Sequence, residues 1–468
     1  GICFWIVYLS TLIGLIVFII AVSWCMNRIA RLKFKTIEQN VNVVNQVIPE
    51  TQENGLYLAD IIPSNDKLIL PIIELNQHLY VNATTGGGKT TLFLRIIEES
   101  LNYNMPIVFI DGKGSFDLVE KLSNIAKKSN RTFKYFTFTK KEDTACYDFL
   151  GTGTKDELRN KIMNLLVSKE NEFYYERLTT FVAMMLNVLD KGKKSNLIKN
   201  KIDLAFIYRL ITTDGKLAEL ANLVRDELAQ NYFININDEK EKPHERILNI
   251  LTPIMLSEYG DLFNLHNKDN IINISESITN NDIVLFMLDS SSYTQDTEQF
   301  GKIIIDDINV SFSLLNRNNI IKNTLIIFDE FGAYASKSIA TTISMHRSNG
   351  LHAIIGSQSL ETIEAGQDGK VIVSGIRANC NTQIILKSVN QYDLEQFSNK
   401  AGTAKSYDMT YQVKTDEDGG QTGLGSMRIG NKYKVDIEQL RGLHAGVGYI
   451  YRSSTNKVER IKIINTVA

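Results

Sequence analysis

Short runs of apolar residues alternate with amphipathic segments along the chain from about residue 55 onward. The strongest runs are Leu79–Asn82, Ile107–Ile110, Ile283–Leu288, Leu325–Phe328, Ala353–Ile355 and Gln383–Leu386, with weaker ones near Phe136 and Tyr449. Runs this short and this apolar are typical of parallel strands buried between two layers of helices. The pattern therefore predicts an α/β fold with a mostly parallel sheet.

The pattern changes over residues 155–268, where apolar residues recur at helical spacing. Phe173–Leu189 and Leu217–Leu228 show this spacing, and few helix-breaking residues interrupt it. We predict an all-helical inserted domain over residues 155–268, which divides the α/β domain into residues 55–154 and residues 269–468. The segment Asp416–Ser426 is rich in glycine and polar residues, so we expect a flexible loop there.

The first residues of the chain have the pattern of a membrane span. No charged residue occurs from Ile2 to Met26. Trp5 and Trp24 are 19 residues apart, which is about 28 Å along a helix and close to the hydrocarbon thickness of a bilayer. Basic residues follow, with no acidic residue before Glu38; they are Arg28, Arg31, Lys33 and Lys35.

This pattern predicts a transmembrane helix over residues 1–27 and a juxtamembrane linker over residues 28–54. The basic residues after the span predict a protein of the cytoplasmic membrane whose C-terminal bulk lies in the cytoplasm. A signal peptide is the alternative, but the segment lacks a basic start and small residues before a cleavage site.

Composition excludes three classes of protein. A net charge of −2 with 44% apolar residues excludes an intrinsically disordered chain. The 4 cysteines form no Cys-x-x-Cys pair, which argues against a disulfide scaffold and against a zinc site. Because 51 basic residues nearly balance 53 acidic ones, bulk charge would not hold this protein on nucleic acid. Any such contact needs a local basic surface or several copies around a channel.

A glycine-rich segment lies between an apolar strand and an amphipathic helix. Asn82–Thr91 follows the strand Leu79–Asn82 and opens the helix Leu92–Ser100. This is the P-loop pattern, with Ala83 in place of the usual first glycine. Glycines let backbone N–H groups turn toward phosphate oxygens, and the helix start adds partial positive charge. A simple turn is the alternative, although Gly-Lys-Thr at such a junction favours nucleotide binding.

We therefore expect ATP and Mg²⁺ at this loop. The predicted phosphate-binding residues are Ala83, Thr84, Thr85, Gly86, Gly87, Gly88, Lys89, Thr90 and Thr91. Lys89 is expected to reach the β and γ phosphates, and the Thr90 hydroxyl is expected to bind Mg²⁺.

A second apolar strand, Leu325–Phe328, ends in Asp329 and Glu330. In P-loop enzymes the Asp holds Mg²⁺ and the Glu polarises the attacking water. An acidic surface turn is the alternative, and the presence of a P-loop favours the catalytic interpretation. Asp329–Gly332 also fits the GTPase DxxG motif and Asn200–Asp203 fits NKxD. Their order along the chain is the reverse of that in GTPases, so ATP is predicted.

Taken in this order, the motifs resemble those of the type IV coupling proteins of conjugation, the TraG/TraD relatives within the FtsK/HerA class of ATPases. The segments that carry the resemblance are His78–Thr90, Ile110–Gly114, Asp329–Gly332, His346–Gly350 and Ile355–Leu360. The helical insertion falls where that family has its all-alpha domain. The resemblance implies a RecA-like sheet and a homo-hexameric ring around a DNA channel.

The resemblance also assigns roles to two further residues. Arg347 is expected to stabilise charge on the ATP of a neighbouring subunit, and Gln358 is expected to sense the γ-phosphate. A helix-surface arginine and a turn glutamine are the structural alternatives. With Lys89 and Glu330 these residues form the predicted catalytic set, and Thr90 and Asp329 are the predicted Mg²⁺ ligands.

The expected partners also follow from the resemblance. They are DNA, expected to be single-stranded, with its relaxase or relaxosome, the channel proteins of a type IV secretion system, and the membrane. A basic cluster in the helical insertion fits either DNA or relaxosome contact or a solvated face; it comprises Lys191, Lys193, Lys194, Lys199 and Lys201. Two other functions stay open: an FtsK/HerA-type DNA translocase, and a receptor that uses nucleotide only to assemble.

Overall fold

The computed structural model describes residues 54–139, 142–166, 172–236, 242–415 and 421–465. Fifteen strands lie in this part of the chain: β1 (Gly55–Ile61), β2 (Lys67–Pro71), β3 (Leu79–Asn82), β4 (Ile107–Asp111), β5 (Phe133–Thr137), β6 (Cys146–Tyr147), β7 (Ile271–Ile272), β8 (Ile283–Met287), β9 (Thr324–Asp329), β10 (Leu351–Ser357), β11 (Thr382–Ile385), β12 (Thr403–Thr415), β13 (Gln421–Tyr433), β14 (Val447–Arg452) and β15 (Lys457–Ile463).

The same ranges contain sixteen α-helices: α1 (Ile72–Leu75), α2 (Lys89–Leu101), α3 (Phe116–Lys128), α4 (Lys155–Leu166), α5 (Glu172–Lys194), α6 (Leu204–Thr212), α7 (Lys216–Leu223), α8 (Glu227–Asn235), α9 (Pro243–Leu256), α10 (Ile274–Asn280), α11 (Thr294–Arg317), α12 (Ser338–His346), α13 (Leu360–Ala365), α14 (Gly369–Asn379), α15 (Gln391–Ala401) and α16 (Ile437–Arg441). Short 3₁₀ turns follow at Gly260–Phe263, Phe331–Ala333 and Arg347–Asn349.

Eleven strands form one sheet in the order β2-β1-β15-β14-β11-β3-β10-β9-β4-β8-β5. The seven strands from β11 to β5 are parallel, and β14, β15, β1 and β2 form an antiparallel edge beside β11. The six strong apolar runs and the weak run near Phe136 coincide with the parallel strands, whereas the weak run near Tyr449 lies in the antiparallel strand β14. The predicted α/β fold with a mostly parallel sheet is confirmed.

The parallel strands bury side chains on both faces. In β4, Ile107 and Phe109 face the core that contains α2 and α3, whereas Val108 and Ile110 face the core that contains α11 and α12. Because both faces are covered, residues of either parity are buried. This explains why the strands are apolar throughout and do not alternate with polar residues.

Six helices, α4 to α9, lie between β6 and β7, where the sequence predicts helices. Aromatic rings connect the end of this interval to the sheet. The ring of Phe263 stacks on that of Phe300 in α11 with centroids 4.9 Å apart, and Phe136 of β5 lies 5.8 Å from Phe263. The limits of the inserted domain, residues 155 and 268, stay a prediction.

The long hairpin of β12 and β13 corrects one expectation. The two strands pair antiparallel from Thr403 opposite Tyr433 to Thr415 opposite Gln421. The predicted loop is therefore wrong for Gln421–Ser426, which belong to β13, while residues 416–420 lie outside the described residues. Composition was misleading here because a paired hairpin satisfies its backbone groups even where its residues are polar or glycine.

The predicted membrane localisation is also wrong by the structure. Within the described ranges, no helix is both long enough and apolar enough to span a bilayer. The predicted transmembrane helix over residues 1–27 and most of the linker over residues 28–54 lie outside the described residues. That prediction rested only on the apolar, uncharged character of residues 2–26 and on the basic residues that follow. Localisation at the cytoplasmic membrane is not retained.

Candidate nucleotide-binding site

The P-loop pattern lies where β3 ends and α2 begins. Gly86 and Gly88 have φ angles of 75° and 107°, a backbone conformation that residues with side chains rarely adopt. No side chain caps α2 at Gly88, so the N–H groups of its first turn suit an anionic ligand. Of the predicted phosphate-binding residues, Thr85, Gly86 and Thr90 are exposed, and Thr84, Gly88 and Thr91 are partly exposed, whereas Ala83, Gly87 and Lys89 are buried.

Two loops distant in sequence hold the P-loop in place. The carbonyl oxygen of Lys387, which follows β11, accepts hydrogen bonds from the Thr84 backbone N–H at 2.9 Å and from its hydroxyl at 3.0 Å. The Gly446 N–H, just before β14, donates to the Gly87 carbonyl at 3.1 Å. A Cβ on Gly88 would lie 3.2 Å from the Gly446 backbone. Neither loop was predicted from the sequence. For Lys387 a general signal exists, because the loop follows β11, a strand next to β3.

Lys89 meets the two acidic residues at the end of β9. Its Nζ lies 2.8 Å from Asp329 Oδ1 and 2.9 Å from Glu330 Oε1, although the residues are more than 200 positions apart in the chain. Gln358, directly after β10, donates from Nε2 to both carboxylate oxygens of Glu330 at 3.2 and 3.1 Å. The structure thus brings together Lys89, Asp329, Glu330 and Gln358 at the carboxyl ends of neighbouring strands.

Burial and charge shift the pKa values of this cluster. Burial raises the pKa of Asp329 to about 6, because the attraction of Lys89 does not compensate for desolvation together with repulsion from Asp111 and Glu330. Burial lowers the pKa of Lys89, but attraction to Asp329 and Glu330 outweighs this effect and raises it above its usual value. Lys89 is therefore a firmly charged ammonium group, and Asp329 is a carboxylate close to protonation.

Asp111 also lies at the edge of the sheet formed by the carboxyl ends of the parallel strands. It is the last residue of β4 and pairs in register with Asp329. Its carboxylate accepts the backbone N–H groups of Lys113, Gly114 and Ser115 at 2.9 to 3.1 Å. Asp111 lies in the segment Ile110–Gly114 that carries part of the resemblance, and the structure shows a turn there with the carboxylate near Asp329. Its signal was an apolar strand that ends in an acid, as at β9.

The donor groups at this edge suit Mg²⁺. Thr90 is exposed at the start of α2 and Asp329 lies at the end of β9, so a hydroxyl and a carboxylate are available, and both are oxygen donors that Mg²⁺ prefers. Asp329 and Glu330 pair with the ammonium group of Lys89, and Asp111 lies near enough to Asp329 for its charge to contribute to the raised pKa of Asp329. A divalent cation would balance the excess negative charge of these three carboxylates. Within the described part of the chain, this site included, no group of three or more His, Cys, Asp or Glu side chains is arranged to hold a metal ion by itself.

Arg347 lies at the edge of the sheet formed by the amino ends of the parallel strands, opposite the edge formed by their carboxyl ends, which holds this cluster. The turn Arg347–Asn349 precedes β10, and the Gly350 carbonyl accepts a hydrogen bond from Thr324, the first residue of β9. The seven residues of β10 separate this edge from Gln358, a distance of about 20 Å. Arg347 is exposed and, at this distance, does not reach the cluster of its own subunit. Its role in a neighbouring subunit stays a prediction.

The basic cluster of the helical insertion is partly neutralised by acidic residues. Lys191 pairs with Asp226 at 2.9 Å and Lys194 pairs with Asp190 at 2.8 Å, while Lys201 lies 3.7 Å from Asp148. Lys193 and Lys199 are exposed. A contact of this cluster with DNA or relaxosome stays a prediction.

Comparison with known proteins bears on the predicted resemblance. Residues 323–441 match the family model described as the TraM recognition site of TraD and TraG. A relative, an uncharacterised protein of Mycoplasma pneumoniae (strain ATCC 29342 / M129 / Subtype 1), is 27% identical over 60 residues, which are 13% of this chain and 50% of that protein. The match thus spans about half the length of that relative.

Solved structures share the fold over most of the chain. The unbound bacterial conjugative coupling protein TrwBdeltaN70 is 14% identical with a TM-score of 0.60, covering 87% of this chain and 88% of its own. Plasmid coupling protein TrwB in complex with ADP and Mg²⁺ is 15% identical with a TM-score of 0.57, covering 85% and 88%. VirB4 of Thermoanaerobacter pseudethanolicus is 11% identical with a TM-score of 0.57, covering 89% and 98%. The shared fold and the family match together confirm the predicted resemblance to TraG/TraD-like coupling proteins.

Proposed function

We propose that this protein is a Mg²⁺-dependent P-loop ATPase of the conjugative coupling type, which uses ATP to drive DNA with its relaxase toward a secretion channel. One observation carries this proposal. Lys89, Asp329, Glu330 and Gln358 come from three different strand ends and converge beside the P-loop. TrwB structures with ADP and Mg²⁺ and with analogues of ATP and of GTP support nucleotide and Mg²⁺ binding, while the choice of ATP follows from the order of the motifs along the chain.

The ion pairs of Lys89 indicate how nucleotide would enter the site. In this structure its ammonium group is held by Asp329 and Glu330. Phosphate oxygens of ATP would compete for the same ammonium group, and the N–H groups of the P-loop would bind the remaining phosphate charge. Glu330 would then lose one cation but keep its hydrogen bonds from Gln358, which leaves it oriented as a base for the attacking water.

Thr90 and Asp329 would hold Mg²⁺. The metal supplies Lewis-acid stabilisation of charge on the phosphate oxygens. Burial raises the pKa of Asp329, so a cation beside this carboxylate would favour its charged form. Asp111 would support the site without binding the metal itself, because its carboxylate is engaged in the hydrogen bonds that hold the turn at Lys113–Ser115.

The DNA-transport part of the proposal depends on assembly into a homo-hexamer. Arg347 lies about 20 Å from its own site by strand length and is exposed, so a neighbouring subunit would have to receive it. There it would stabilise charge on the γ-phosphate, and hydrolysis would require contact between subunits. The family description, which names recognition of TraM, supports a relaxosome protein as partner for residues 323–441.

Two substitutions test the ATPase site. Lys89→Ala should lower both ATP affinity and hydrolysis, because it removes the cation that binds the β and γ phosphates. Glu330→Gln should keep ATP binding and lower kcat by about 10²-fold or more, because it removes the base. Nucleotide binding by fluorescence and phosphate release measure the two effects, with Lys127→Ala on the exposed face of α3 as matched control. Hydrolysis by Lys89→Ala at the parental rate would refute the site.

The Glu330→Gln variant also separates a motor from a receptor. A receptor that uses nucleotide only to assemble should transfer its substrate normally with this variant, because the variant still binds ATP. A motor should recruit the relaxase–DNA substrate and then fail to move it. Strand displacement on a relaxase-linked DNA, compared with pull-down of the relaxase, gives the two readings.

A further inference from the structure

His78 is a buried histidine directly before the P-loop strand, and it joins three elements. Its Nε2 lies 2.7 Å from the carbonyl oxygen of Ile343 in α12, and its Nδ1 lies 3.1 Å from the backbone N–H of Ala353 in β10. Because a backbone N–H only donates, Nδ1 is the acceptor, and Nε2 carries the proton that it donates to Ile343. Burial lowers the pKa of His78 to about 4, so the imidazole stays neutral with both bonds intact.

The position of His78 is set by tertiary contacts. Its φ angle of 57° lies in the left-handed region, where asparagine, aspartate and histidine are tolerated better than other side chains. Its backbone N–H donates to the Leu75 carbonyl at 3.0 Å. His78 is 1% exposed and its ring is hydrogen-bonded at both nitrogens, which fixes the orientation of the ring.

Ile343 lies in the last turn of α12, whose carbonyl groups lack partners within the helix. His78 satisfies one of them. Arg347 follows four residues later, close enough for its charge to contribute to the lowered pKa of His78. A second histidine, His346, holds the same turn to α11 through Asn309 Oδ1 at 2.7 Å.

The P-loop begins at the other end of the same strand. From His78 to Ala83 is five residues, about 17 Å of buried strand. At its far end the Asn82 amide donates to the Gln358 carbonyl at 3.2 Å, which ties β3 to the site again. One short strand therefore connects the phosphate-binding loop to the turn that carries Arg347.

We infer that His78 is a positioning residue, which fixes the turn bearing Arg347 relative to the P-loop strand of the same subunit. This inference rests on the proposed function, and specifically on Arg347 acting in the neighbouring subunit. Through His78, a movement of the P-loop strand in one subunit would also move the Arg347 that this subunit supplies to its neighbour.

Mixed assemblies test the inference. Lys89→Ala subunits cannot hydrolyse ATP but can donate Arg347, and Arg347→Ala subunits can hydrolyse only with an arginine from a neighbour. Their mixture should therefore recover activity that neither has alone. His78→Asn keeps an acceptor for Ala353 and tolerates the left-handed backbone, but its shorter side chain does not carry its amide donor as far as the Ile343 carbonyl. Placed in the Lys89→Ala donor, it should lower the recovered kcat at least tenfold, since small displacements of a catalytic group have large effects.

Placed in the Arg347→Ala acceptor, the same His78→Asn change should alter the recovered kcat less than twofold and leave ATP affinity unchanged. A merely structural role of His78 would lower activity equally in both positions, and that result would overturn the inference, as would no loss in the donor. His78→Gln, which restores a donor within reach of Ile343, should recover part of the donor activity. His266→Asn, at an exposed histidine, is the matched control.

The experiment separates this inference from the proposed function. Failure of the unmodified mixture of Lys89→Ala and Arg347→Ala to recover activity would refute the shared site and the inference with it. Recovery in that mixture, without the donor-specific loss, would refute the role of His78 alone.

Discussion

At the scale of single residues, the site combines buried charge with backbone strain. Glu330 has a φ angle of 50°, which lies in the left-handed backbone region. Residues other than glycine, asparagine, aspartate and histidine seldom adopt this conformation. Gly112 of the neighbouring loop permits this conformation, because a Cβ there would lie 3.1 Å from the Glu330 carbonyl oxygen. Such strain is typical of functional sites, and here it aims the carboxylate at Lys89 and Gln358.

Asp329→Asn should stabilise the folded protein near neutral pH while it abolishes hydrolysis. The pKa of Asp329 is raised to about 6. Between about pH 4 and pH 6 the folded state therefore keeps a proton that the unfolded state has released. The stability contributed by this group is present below about pH 4 and is lost as the pH rises through about 6, a change of up to about 3 kcal/mol.

Urea unfolding of the parent and of Asp329→Asn measures this effect. The variant should be the more stable protein at about pH 7.5, and its advantage should shrink toward about pH 4, where the parental carboxyl is also neutral. An Asn variant that is less stable than the parent at both pH values would mean that the ion pair with Lys89 outweighs desolvation.

The P-loop glycines should differ in their sensitivity to alanine. At Gly86 a Cβ would meet no atom within 4 Å, so Gly86→Ala pays only for its φ of 75°, about 1 kcal/mol. At Gly88 the φ of 107° is less accessible to alanine, and the Cβ would press on the Gly446 backbone. We expect Gly88→Ala to lower the free energy of unfolding without nucleotide by about 2 to 3 kcal/mol. Equal losses in urea titrations of the two variants would contradict this difference.

At the scale of elements, one buried ion pair joins the helical insertion to the α/β domain. Lys161 of α4 contacts Asp307 of α11 at 2.5 Å and donates to the carbonyls of Phe149 and Thr152 at 2.8 Å each. Tyr147 donates to the same Asp307 at 2.9 Å. The insertion is thus held by a hydrogen-bonded network as well as by aromatic packing.

Lys161→Met should lower the free energy of unfolding by about 3 to 5 kcal/mol, because it leaves the carboxyl group of Asp307 buried without a cation and with only the hydrogen bond from Tyr147. The double variant Lys161→Met with Asp307→Leu should lose less than the single variant, because no buried charge remains. Lys155→Met, at the exposed start of the same helix, is the matched control. A double variant at least as unstable as the single one in urea unfolding would argue against an unpaired charge as the cause.

At the scale of the whole molecule, the site lies at the carboxyl ends of the parallel strands and Arg347 lies at their amino ends. A single chain therefore cannot complete the catalytic set that the resemblance implies. This geometry predicts that ATP hydrolysis per subunit rises with protein concentration as subunits assemble.

Arg347→Ala should leave ATP binding intact and reduce hydrolysis by about 10³-fold at concentrations where the parent is assembled. Specific activity over a dilution series, read beside sedimentation velocity, measures both effects, with Arg209→Ala in the insertion as the control. Specific activity that stays constant down to the monomer would show that hydrolysis needs no neighbour.

The sequence by itself determined the features that are local along the chain. The seven parallel strands follow from the length and apolar character of short runs, and the P-loop follows from glycine spacing between a strand and a helix. The acids at Asp329 and Glu330 follow from their place at a strand end. Periodicity missed β1, β2 and β15, because antiparallel edge strands are partly exposed and carry a weaker apolar signal.

Only the tertiary structure decided which of these features meet. Strand order brings Gln358 onto Glu330, Asp111 beside Asp329, and the loops at Lys387 and Gly446 against the P-loop. It also places Arg347 at the amino ends of the parallel strands, away from the P-loop. These contacts join residues that are far apart in the chain, and apolar periodicity specifies that a strand is buried but not which strands become its neighbours.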